Sequence, residues 1–237
     1  MMIFKQTVGA AVVAAGITGL TATTLAQAAV RDSNVLSATS PAACSPQQHN
    51  HVQIMAVDNI WGAGIKTPPD PSGGGGGQLP QRVAIPPGTR NLTMHNVTGE
   101  VSWGPSETAP NGADGDTSGV VGAWKISATG GISGISDSTS FFYLVGVFLG
   151  KEQPATPPPG VDYAGHRSSL SFKPRLGQIF FIGDGLTGNG KTQQFRVPAG
   201  AKSVYLGFTD ALGGDGPPGW YGDNRKSLFG TVRFTCK

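Results

Sequence analysis

The chain has 237 residues, with 17 Lys and Arg against 14 Asp and Glu, a balance of +3, and only 13% of it is charged. So small an excess of positive charge, scattered along the sequence, argues against a nucleic-acid surface. With 37 Gly and 18 Pro, the composition calls for many tight turns and works against long helices.

Residues 1–28 read as a signal peptide. Lys5 supplies a positive start, Thr7 to Leu25 is an apolar stretch of small residues, and Ala26-Gln27-Ala28 fits a small-x-small cleavage site. A membrane anchor is the alternative, but the polar Arg31-Asp32-Ser33-Asn34 follows at once. Cleavage removes only Lys5 among the charged residues, lowering the balance to +2. The product is expected to be an exported bacterial protein, secreted or periplasmic. No later apolar run is long enough to span a bilayer.

Residues 29–50 are rich in Ser, Ala, Pro, Gln and His and are expected to form a flexible arm, leaving 51–237 as one domain. Cys44 and Cys236 are an even pair in an exported chain, which reads as a disulfide; two free thiols or an intermolecular bond is the alternative.

Strand-like runs follow in order: Val52–Val57, Arg82–Ile85, Asn91–Val97, Phe141–Leu149, Gln178–Ile182, Gln194–Val197, Ser203–Phe208 and Gly230–Phe234. Each is short, β-branched or aromatic, and bounded by turn residues, so eight to ten strands in an antiparallel β-sandwich are predicted. The Phe141–Leu149 run is apolar throughout and suits a strand buried on both faces. A short helical turn is expected near Gly119–Ile126. Pro68–Ser72 and the five glycines Gly73–Gly77 read as a flexible loop. The prolines of Glu152–Tyr163 predict a stiff, extended connection.

One constellation carries chemistry. A strand ends at Thr209-Asp210, a loop rich in Gly and Pro follows, and Tyr221-Gly222-Asp223-Asn224 returns two more oxygen donors. Gathered oxygens of this kind suit calcium. Asp and Asn are also ordinary turn residues that bond local backbone amides.

The neighbouring residues resemble the calcium-dependent galactose-binding lectin family typified by LecA (PA-IL). The resemblance is carried by Thr209-Asp210, by Tyr221-Gly222-Asp223-Asn224 with Ser227 and Phe229 after it, and by Gln194–Gly200 upstream. Leu92-Thr93-Met94 through Val101-Ser102-Trp103-Gly104-Pro105 is similar to the family's earlier strand and loop. The resemblance implies a galactose-binding-domain-like or jelly-roll sandwich with a Ca2+ held by the side chains of Asp210, Asp223 and Asn224. The backbone carbonyls of Trp103 and Trp220 would add two oxygens, and vicinal sugar hydroxyls would complete the shell. Asp223 stands where the family has asparagine, and the family's contacts to the exocyclic hydroxyl have no match, so the sugar itself does not transfer.

Asp210, Asp223, Trp220 and Tyr221 are the expected ligand-binding residues, with Asp114 of the acidic turn Asp114-Gly115-Asp116-Thr117 lining the same site. The expected partner is a galactose-like or other glycan, with no nucleic acid and no membrane span after cleavage; homo-oligomerisation is left open. Two other functions stand beside this one. In the first, a calcium ion merely ties loops together in a structural cell-envelope or protein-interaction module. The second is a glycan-active hydrolase, for which no Gly-x-Ser-x-Gly or His-Glu-x-x-His motif is present; the expectation is therefore no enzyme.

Overall fold

The structure, a computed structural model, describes residues 43–45, 48–105, 110–118 and 124–236. The predicted signal peptide and most of the predicted arm lie outside the described residues.

The described residues form thirteen strands, in chain order. They are β1 (His49–Met55), β2 (Gln81–Ala84), β3 (Thr89–Ser102), β4 (Trp124–Ile126), β5 (Ile135–Asp137), β6 (Val145–Leu149) and β7 (Val161–Asp162). Then come β8 (Ser171–Phe172), β9 (Ile179–Phe181), β10 (Gln194–Arg196), β11 (Ser203–Gly207), β12 (Asp215–Gly216) and β13 (Arg225–Cys236). One sheet has the order β1-β13-β3-β10-β8, a second β2-β11-β6-β9, and a small third sheet β12-β4-β5-β7. The long ladders are antiparallel; the pairs β8–β10, β4–β12 and β5–β7 are parallel.

The two larger sheets face each other as a β-sandwich. Phe180 of β9 and Phe195 of β10 meet across the gap with ring centroids 5.2 Å apart, and Leu92, Met94, Val204, Leu206 and Val232 fill the same core. Every residue of β6 is buried, as the unbroken apolar run predicts, although the strand begins only at Val145. Residues 141–144 instead turn inward, and Phe142 stacks on Phe208 at 4.9 Å.

Three expectations change. His49 and Asn50 belong to β1 and pair with Arg233 and Val232, so the arm ends before them. Trp124–Ile126 is a strand rather than helix, held by β5 on one side and β12 on the other; residues 119–123 lie outside the described residues. The five-glycine segment is not a free linker, because its backbone is hydrogen-bonded to the loop before β13, as described below.

β3 and β13 run side by side for almost their whole length, from Thr89 opposite Cys236 to Ser102 opposite Arg225. At the first end Cys44 and Cys236 form the predicted disulfide, with Cα atoms 5.6 Å apart across 192 residues of sequence. At the other end the chain enters the Asp210 region. No helix among the described residues is long and apolar enough to cross a membrane.

Candidate functional site

Asp210 lies three residues beyond β11, where the chain leaves the sheet. The loop that follows closes on itself: the Gly219 N–H donates to the Asp210 carbonyl at 3.0 Å, and Ala211 bridges Pro218. Within it Asp215 accepts the Lys125 N–H at 2.9 Å, tying the loop to the third sheet. The closure returns Trp220 and the short 3-10 turn Tyr221–Asp223 to the side of Asp210.

The glycines at 73–77 make this return possible. The N–H groups of Trp220, Tyr221 and Gly222 donate to the carbonyls of Gly73, Gly75 and Gly74 at 2.8, 2.8 and 3.2 Å. A Cβ on Gly74 would sit 2.5 Å from the Trp220 ring, and one on Gly77 2.6 Å from Tyr221 Cβ. Any side chain there would push the two loops apart. The segment therefore acts as a backbone partner for the site loop.

Two oxygen-bearing side chains meet beneath this pair of loops, Asp210 and Asn224, and the Asp223 carboxylate acts on Asp210 electrostatically. Asp210, 7% exposed, accepts the Ala211 N–H on Oδ1 at 2.8 Å and the Asn224 amide on Oδ2 at 2.9 Å. Asn224, 2% exposed, also donates from Nδ2 to the Ala56 carbonyl at 3.3 Å. Two acceptors thus face the amide nitrogen, which fixes the orientation of the group and turns Oδ1 away from both. That Oδ1 is buried and has no partner, and neither has Oδ1 of Asp223. Burial, reinforced by the Asp223 carboxylate, pushes the Asp210 carboxyl well above its ordinary range against the two hydrogen bonds it accepts. A buried carboxyl bonded to an amide whose own oxygen is orphaned, with another orphaned carboxylate oxygen on the preceding residue, is an oxygen-rich, cation-seeking arrangement.

Tyr221 departs from its expected role. It is fully buried, its hydroxyl donates to the Phe208 carbonyl at 2.9 Å and accepts the Asp210 N–H at 3.1 Å. The ring cannot meet a sugar; it fills the core beneath the site and holds the Asp210 backbone. Trp220 is the exposed aromatic at 38%, in a left-handed conformation with φ 68°.

Trp103 follows Ser102, the last residue of β3, which pairs with Arg225, the residue after Asn224. It is 45% exposed, packs edge-on against Phe141 with ring centroids 5.2 Å apart, and donates from Nε1 to Asp116 Oδ2 at 3.0 Å. Asp116, and not Asp114, is therefore the residue of the acidic turn that borders Trp103.

Asp114 goes elsewhere. Its Oδ1 accepts the Asp184 N–H at 3.2 Å, and it lines a cavity of about 480 Å³ with Arg167 and Asp184 that includes none of Asp210, Asp223 and Asn224. Its main-chain carbonyl is taken by the Arg167 guanidinium, which accounts for the displacement.

Comparison with family models gives no match, and no curated protein and no solved structure matches the chain. Among the described residues no group of three or more His, Cys, Asp and Glu is placed to hold a metal ion. The oxygen set at Asp210 rests on two carboxylates and one amide.

Proposed function

We propose that this chain is an exported, calcium-dependent carbohydrate-binding protein, and not an enzyme, with its site at Asp210, Asp223 and Asn224. The observation that carries the reading is the buried, unpartnered oxygen of Asn224, whose amide bonds the Asp210 carboxyl, with a second unpartnered oxygen on the adjacent Asp223. All three donors are hard oxygens, the kind calcium takes in sets of six to eight. The chain's part is to hold them: Tyr221 fixes the Asp210 main chain, Ala56 orients the Asn224 amide, and the glycine loop clamps the 220–222 backbone. A bound calcium ion would supply a hard centre with positions left for sugar hydroxyls. Trp220 and Trp103 are exposed aromatic faces on the two loops flanking the oxygen set, and apolar sugar faces favour such rings. The cleavable leader and the disulfide support an exported protein.

The depth of Asp210 and Asn224 favours a second reading, in which the ion only ties the loops of a structural module. A calcium titration followed by tryptophan fluorescence, repeated with galactose and other simple sugars at millimolar concentration, separates the two. In a lectin, sugar and ion each raise the other's affinity. Calcium binding that no sugar alters leaves the structural module, and no calcium binding at millimolar ion overturns both.

A further inference from the structure

A large cavity lies at the opposite end of β11, where Lys202 precedes the strand that leads to Asp210, about 25 Å away along extended chain. It has a volume of about 790 Å³ and is rimmed by Arg82, Arg90, Lys173, Arg196 and Lys202, with no Asp or Glu in its lining. All five cations are exposed. The ion pairs among the described residues are Arg167–Asp137 and Lys226–Glu100, so none of the five is neutralised by a carboxylate. In a chain whose whole balance is only +3, this is local concentration and not general basicity.

The fold itself sets these charges side by side. Val197 donates its N–H to the Arg90 carbonyl at 3.0 Å, and Phe195 pairs with Phe172, which puts Arg90 and Arg196 on adjacent strands and Lys173 just past the end of the third. From the other sheet, the Ile85 N–H bonds the Lys202 carbonyl at 2.9 Å, and Arg82 Nε donates to Ser203 Oγ at 2.9 Å. Like charges on neighbouring strands repel and cost stability unless a ligand offsets them.

The walls are stiff. Pro86-Pro87-Gly88-Thr89 and Pro198-Ala199-Gly200-Ala201 are both turns closed by a first-to-fourth backbone bond of 3.2 Å, with Gly88 at φ 86° and Gly200 at φ 84° in the third position. This is the type II turn, in which glycine supplies the left-handed residue. Cys44 bonds the Pro87 carbonyl at 2.9 Å, so the disulfide braces the first wall.

We propose that this cleft is a second binding site, for a sulfated polysaccharide. Its size suits a short oligosaccharide. Five cations over so short a length match more than one anion per sugar unit, and arginine forks suit tetrahedral oxyanions. The lining contains no aromatic side chain on which nucleobases would stack. It also contains none of the exposed large hydrophobic residues that would enter a lipid surface.

The test uses the leader-free chain and size-defined heparin oligosaccharides, with N- and O-desulfated heparin and a single-stranded oligonucleotide as competing probes. Heparin should bind in chelator as well as in calcium, which separates this site from the proposed calcium site, and binding should weaken as salt rises. Desulfation should weaken it at least tenfold. Arg90→Ser with Arg196→Ser should weaken it about four- to twenty-fivefold, about two to five for each exposed charge contact. Lys151→Ser with Lys191→Ser removes the same charge outside the cleft and should change affinity less than twofold. In the unaltered protein, heparin should shield Lys173 and Lys202 from acetylation while Lys151 and Lys191 stay reactive. Equal loss in the two double variants, equal shielding of all four lysines, or an oligonucleotide bound more tightly than heparin overturns the proposal.

Discussion

Asn224 gives its amide nitrogen to Asp210 Oδ2 at 2.9 Å while its own Oδ1 is left buried without a partner. One side chain thus steadies the carboxylate and presents a free oxygen beside it. A loop end built only for stability would pair both ends of a buried amide, because an unpaired buried acceptor costs about 1–3 kcal/mol.

Asp210→Asn should weaken calcium binding by about two orders of magnitude, since ligand charge strongly tunes such sites. In chelator the variant should melt at or above the parent temperature, because a buried carboxylate held far above its ordinary range is no longer present. Differential scanning calorimetry with and without calcium checks both halves. An unchanged calcium shift in the variant would remove Asp210 from the site.

Trp220→Ala should reduce sugar affinity severalfold and leave calcium affinity within about twofold, since its ring is exposed and its inferred metal contact is a backbone carbonyl. Isothermal titration with calcium first and sugar second reads the two separately. Parallel losses of both would mean that the ring supports the loop rather than the ligand.

Tyr221→Phe deletes a buried hydroxyl that bonds the Phe208 carbonyl and the Asp210 N–H. Two main-chain groups lose a partner, so stability should drop by about 1–3 kcal/mol in urea unfolding. Calcium affinity should fall too, as the Asp210 backbone is released. Full calcium affinity in this variant would show that the tyrosine does not hold the site.

Stability without calcium should depend on pH through Asp58. Burial raises its carboxyl from the ordinary 3.8 to about 6, against hydrogen bonds from Gln78 and the Met55 N–H. Between those values the folded chain holds a proton that the unfolded chain has lost, so stability is greatest below the window and falls as pH rises through it. The Asp58 share amounts to about 3 kcal/mol and is constant above it. Melting curves in chelator from pH 3.5 to 7.5 should show a steeper fall in the parent than in Asp58→Asn, and identical slopes would contradict the assignment.

Replacing Cys44 and Cys236 together by Ser should lower stability by up to about 4–5 kcal/mol, as the loop they close is nearly the whole domain. Denaturant midpoints report the loss. A shift near zero would mean that the unfolded chain is already restrained there.

The sequence by itself determined the class of fold, the disulfide and the strands that bear most of the core. Those features are written locally: alternation places Leu92, Val204 and Val232 inward, and a lone pair of cysteines has few alternatives once the chain is read as exported. Thr209-Asp210 and Asp223-Asn224 were also legible as oxygen donors flanking one loop, because turn residues announce where the chain reverses.

Tertiary structure alone decided the rest. Five glycines carry no side-chain signal, so whether they drift or clamp Trp220–Gly222 depends on which backbone lies opposite them. The strands β4, β5, β7, β8 and β12 are two or three residues long, too short for a period to register. Tyr221 and Asp114 read as ligand residues until packing buried one and Arg167 drew the other away. The five cations of the far cleft are scattered from Arg82 to Lys202, and only strand pairing gathers them. Local pattern fixes what each segment prefers to be; which segments become neighbours is set by long-range burial and hydrogen bonding, and neighbours are what make a site.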